Sequence, residues 1–114
     1  MGNNPISNHV FHDDISTINT GTDYRVTGRE NIAVLQFITD EGTTFTANIL
    51  CKCVDNDNWY TCPFVKNSDL SIITSGQIND EGSLYSVDLT GITSLRVDVV
   101  DVDGTLSVFG RMVG

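Results

Sequence analysis

Alanine occurs only twice in this chain, at Ala33 and Ala47, and glutamate and lysine are scarce. The residues that form helices at least cost are therefore nearly missing, and no segment keeps a helical period of apolar residues. No apolar run approaches the roughly 20 residues of a membrane span, so no membrane partner is expected. Basic residues are also few: 6 Lys and Arg face 15 Asp and Glu, a formal net charge of −9. Such a surface repels phosphate backbones, so no nucleic-acid partner is expected. The opening MGNNPISNHVFHDD has neither a basic start nor an apolar run. No signal peptide is expected, and synthesis is expected in a bacterial host cytoplasm.

Three cysteines is an odd number, which argues against a scaffold stapled by disulfides. Cys51 and Cys53 lie two apart on one expected strand, and Cys62 lies on the next. A tight turn near Asn56-Asp57 sets Cys62 roughly opposite Cys51. Reduced thiols packed as small hydrophobes are the main expectation, with a Cys51–Cys62 bridge as the alternative. A zinc site needs about four ligands, and His9 and His12 lie far away in the N-terminal segment. No metal or other cofactor is expected.

What the chain does have is Thr, Val, Ile, Asn, Asp and Gly. β-branched residues suit a pleated surface, and Asn, Asp and Gly suit turns. TTFTANILCKCV puts Phe45, Ala47, Ile49, Cys51 and Cys53 on one face. TSLRVDVV does the same with Leu95, Val97 and Val99, and TLSVFGRMV with Leu106, Val108 and Met112. About seven or eight strands at spacings of about 8–12 residues are expected. The fold class is all-β: an antiparallel β-sandwich, jelly-roll-like, in one domain over residues 21–114. Residues 1–20 hold Ile6, Val10, Phe11 and Ile15 at no steady period. They read as an extended arm or a short peripheral strand, with those four side chains as candidate anchors for assembly.

One short string imitates chemistry. LRVDVVDVDGTL, ending at Leu106, resembles the signature of the haloacid dehalogenase phosphatases, in which Asp101 and Asp103 would be nucleophile and general acid–base. That chemistry needs a parallel α/β sheet, a helix after the motif, and later Ser or Thr, Lys and Asp groups. Only eight residues follow Leu106, so the context is missing. The alternative is specific: Asp103-Gly104 as a two-residue hairpin turn. A loop calcium site drawn from Asp55, Asp57, Asp101 or Asp103 is a weaker competitor, because an EF-hand would need a ligand where Val99 stands. No catalytic residue is assigned, and no enzyme is expected.

Trp59 and Tyr60 follow a turn, and Tyr85 sits on an alternating strand. Aromatics so placed stack on sugar faces or anchor a core, so the three are candidates for glycan stacking.

The second half carries a longer pattern. A VDNDNWY turn precedes GSLYSVDLTGITSLRVDVV, and a final strand holds Val108 and Arg111. With Val54, Asp55, Trp59, Gly82, Tyr85, Val87, Asp88, Leu89, Gly91, Leu95, Arg96, Val97, Val99 and Gly104, these residues resemble a small β-sandwich of tailed-phage and prophage virion proteins. The match runs over about residues 31–114 and departs where Asn56 stands for the turn glycine. The resemblance implies a virion structural protein of head-decoration, head-fibre or tail-associated type. It also implies assembly as a homo-oligomer, a trimer favoured, with other virion proteins as partners. A carbohydrate-binding module is the alternative.

Overall fold

The computed structural model describes residues 6–54, 58–74, 77–79 and 83–114. Among these no helix occurs, and eleven strands form two antiparallel sheets, the expected sandwich. They are β1 (Ile6–Ile15), β2 (Tyr24–Arg25), β3 (Ile32–Thr39), β4 (Thr44–Lys52), β5 (Tyr60–Thr61), β6 (Phe64–Lys66), β7 (Ser71–Ile73), β8 (Gln77–Ile78), β9 (Leu84–Asp88), β10 (Ser94–Asp103) and β11 (Leu106–Val113). The count exceeds expectation because short pairings such as β2, β5 and β8 leave too few residues for an alternating pattern. One sheet has six strands in the order β1-β11-β3-β9-β6-β7. The other runs β2-β10-β4-β5, with β8 also on β4.

The expected alternations hold where the long strands lie. Ala47, Ile49, Leu95, Val97, Leu106, Val108 and Met112 are fully enclosed between the sheets. Aromatic rings bridge the layers: Phe37 of β3 stacks on Phe45 of β4 with centroids 5.5 Å apart. Tyr85 meets Phe37 and Phe64 edge-on.

Two segments differ from expectation. The DVDG string is not a hairpin turn. β10 pairs with β4 in one sheet and β11 with β1 and β3 in the other, so the turn carries the chain across the end of the sandwich. The β3–β4 connection crosses beside it, and the two are tied together. Thr105 donates its N–H to the Thr43 hydroxyl, and Asp40 donates to the Thr105 carbonyl. Gly104 has φ of 121°, and a Cβ there would lie 2.1 Å from Thr43 Oγ1. Only glycine fits that approach.

The second difference is the N-terminal segment. Of its two expected forms, arm or short peripheral strand, Ile6–Ile15 takes the second but at full length, as a ten-residue edge strand paired with β11 from Ile6↔Val113 to Ile15↔Leu106. Its register shifts between Val10 and His12, so Phe11 and His12 both point inward. This bulge explains the lack of a steady period. Room for Phe11 comes from Gly110, where a Cβ would sit 2.7 Å from the Phe11 ring.

Phe11→Ala is expected to lower unfolding stability by about 3–5 kcal/mol in urea melts, whereas truncating a side chain on a free arm would leave stability unchanged.

Candidate functional site

In an antiparallel sandwich the outer face of each sheet meets water and carries polar residues. The five-stranded sheet follows this rule. Its outward positions include Arg25, Thr46, Asn48, Lys52, Arg96 and Asp98. Arg96 is held by Asp98, Nε to Oδ1 at 2.6 Å and Nη2 to Oδ2 at 3.0 Å.

The six-stranded sheet breaks it. Cross-strand register sets Ile6, Val113 and Ile32 in one outward row and Val10, Phe109, Gln36 and Leu84 in another. Between them lie Asn8, Arg111, Val34, Ser86, Val65 and Ile72. Val10 is 48 % exposed, Ile38 46 % and Leu84 43 %. Across β1, β11, β3 and β9 the face sinks into a concavity of about 520 Å³ lined by Val10, Val34, Leu84 and Phe109, with Arg111 in its wall. Arg111 pairs with no carboxylate among the described residues. Exposed apolar side chains in adjoining rows, interrupted by Asn8, Gln36, Ser86 and Arg111, set this face apart from the polar outer face usual in a sandwich. What it offers is apolar burial around a guanidinium with no carboxylate partner among the described residues, with the His9 imidazole also in its lining.

The candidate anchors divide between this face and the core. Ile6 and Val10 lie on the outer face, Phe11 is buried in the protein's own core, and Ile15 is half-buried against it. The candidate stacking aromatics do not come together. Tyr85 is 3 % exposed, a core residue. Tyr60 pairs with Cys51, so it lies on the inward side of the edge strand β5, 66 % exposed beyond the core. Trp59 lies over Lys52 and Arg96 on the outer face. Sequence reasoning missed the apolar face, because its rows join strands far apart in the chain. The isolated signal was Phe109, Arg111 and Val113 at the outward positions of the last strand.

Asp101 and Asp103 sit exposed at the end of β10. Asp55 and Asp57 lie outside the described residues. Among the described residues no three potential metal ligands gather in one place. Cys51, Cys53 and Cys62 are free thiols. The Cys62 thiol donates to the Pro63 carbonyl; its closeness to Cys51 draws the Cys51 thiol below its ordinary value against burial, while Cys51 and burial together push Cys62 up.

Two buried polar side chains belong to the fold. Glu30 accepts hydrogen bonds from Tyr24 and from the Thr27 amide and hydroxyl. Burial pushes its carboxyl up, and these donors outweigh that and hold it below its ordinary value. His12 Nε2 donates to the Val97 carbonyl at 2.6 Å, tying β1 to the opposite sheet. Its Nδ1 is buried with no partner among the described residues. Burial holds this imidazole below its usual 6.5, against the Val97 carbonyl and Asp98, which favour the charged form.

No protein-family model matches the chain, and no curated protein matches it. Among solved structures, the SPBc2 prophage-derived protein YomS is similar in fold, with a TM-score of 0.90 at 13% identity over 100% of this chain and 97% of that one. The PBSX exported protein XepA is also similar, with a TM-score of 0.90 at 17% identity over 100% of this chain and 39% of that one. This chain thus spans about two fifths of XepA. At these identities the likeness is one of fold, a β-fold found in prophage proteins.

Because burial holds the folded His12 below its unfolded value of about 6.5, the unfolded chain binds more protons than the folded one as pH drops through that value. Thermal melts between pH 7.5 and 5.5 should show the melting temperature falling as pH falls, and His12→Gln should flatten that slope; identical slopes would remove His12 as the cause.

Proposed function

We propose that this protein is a non-enzymatic structural component of a tailed-phage or prophage particle, of capsid-decoration, head-fibre or tail-associated type. It acts through protein–protein assembly, both with itself, a trimer being favoured, and with other virion proteins. The observation that carries this reading is the apolar outer face of the six-stranded sheet. Burying such a surface contributes about 25 cal/mol per Å² of apolar area, and its exposure in a free monomer is an aggregation liability. Arg111 within that face gives a partner's carboxylate a place to pair while the surrounding apolar contacts exclude water. A chain with 15 acidic residues supplies such carboxylates from a second copy.

Two further lines support the phage context. The fold is shared with prophage proteins at high structural similarity, and the second half of the sequence resembles virion β-sandwiches.

Light scattering on a size-exclusion column tests the reading. The parent chain is expected to run as a trimer. Leu84→Asp and Ile38→Asp place charges at exposed positions, so they should leave the fold stable and shift the mass toward monomer. A parent that stays monomeric across the accessible concentration range would sink the self-assembly part of the proposal.

A further inference from the structure

The opposite outer face has a different chemistry. Three of the six basic residues of this acidic chain sit close together on the five-stranded sheet. Ser94 of β10 faces Arg25 on one side and Lys52 on the other, and Arg96 stands two residues along β10. Beside this cluster, where Tyr60 pairs with Cys51 on β4, the chain brings Trp59 alongside Lys52. Lys52 Nζ lies 4.6 Å and Arg96 Cζ 4.5 Å from the indole centroid. Asp98 clamps the Arg96 guanidinium with two hydrogen bonds, so the ring rests on a fixed cation. The indole is half-exposed.

A cation-supported, partly open indole on a polar sheet, in a chain of net charge −9, does not suit another acidic apolar surface. It suits a ligand with a flat, weakly apolar face, several hydroxyls and a negative charge. We propose that the outer face of the five-stranded sheet binds an anionic carbohydrate. A pyranose ring stacks on the open face of Trp59, and its uronate or phosphate group, reaching past the ring edge, is attracted by the cationic row of Lys52, Arg96 and Arg25, in which Arg96 is shared with Asp98. Stacking supplies the sugar preference and the cations the charge preference. Preorganisation by Asp98 lowers the ordering cost of binding. This site is independent of the apolar face and of the assembly state.

Trp59 is the chain's one tryptophan, so selectively excited tryptophan fluorescence reports this site alone. The probes are an oligogalacturonate, a phosphorylated malto-oligosaccharide, the neutral malto-oligosaccharide of equal length, and an oligothymidylate of equal charge. The expected result is a saturable spectral change with at least one anionic sugar, several-fold tighter than with the neutral sugar, as a solvent-exposed ion pair supplies. The tighter of the two anionic sugars identifies the group that is held. Lys52→Gln keeps the reporter and should weaken binding of the anionic sugars several-fold while leaving binding of the neutral one unchanged. Trp59→Phe, followed by calorimetry, should weaken it too, because the smaller ring stacks less. Equal affinity for the neutral sugar or for oligothymidylate would overturn the proposal, as would the absence of any spectral change with both anionic sugars.

Discussion

The pairing of β11 between β1 and β3 is the constraint on which the rest of the molecule depends. Leu106, Val108 and Met112 of this strand are sealed in the core, while Phe109, Arg111 and Val113 alternate outward to the apolar face. The same strand therefore builds the interior and the outer apolar face. A slip of one residue would exchange the two sets, exposing the core residues and burying Arg111. Three features hold the register. Pairing with β3 is unbroken from Leu106↔Thr39 to Val113↔Ile32. The crossing turn at Gly104 fits against Thr43 in one way only. The β1 bulge seats Phe11 over Gly110.

From that register follows the contrast between the two outer faces. The five-stranded sheet presents hydroxyls, amides and ion-paired groups to water, and its one large ring rests on two cations. The six-stranded sheet presents branched aliphatic side chains, Phe109 and a guanidinium with no carboxylate partner among the described residues. Apolar side chains scattered singly on a surface need no explanation. Here they fall in adjoining cross-strand rows, and contiguity is what gives the face its meaning.

The core was largely legible in the sequence, because a strand buried on one face writes its orientation into every second residue. Phe45, Ala47 and Ile49, and Leu95, Val97 and Val99, could be assigned inward without coordinates. Three things were not legible, each for a physical reason. Phe11 and His12 share the inward side of a bulge, so β1 shows no alternation and resembles an arm. Asp-Gly suits a hairpin and a sheet-crossing turn equally, and only the partners of β10 and β11 distinguish them. The outer apolar face is a property of register between distant strands. Val10, Phe109 and Leu84 look unremarkable one by one. Tyr85, a stacking candidate by its alternation, proved to be core because its neighbours Phe37 and Phe64 arrive from other strands.

The central claim is that the outer face of the six-stranded sheet is a contact surface and the other outer face is not. Hydroxyl-radical footprinting of the full chain across a range of concentrations tests it most directly. The account predicts that oxidation of Phe109, Leu84 and Ile38 falls as concentration rises, while oxidation of Trp59 stays constant. Equal oxidation of all four at every concentration, or protection confined to Trp59, would contradict it.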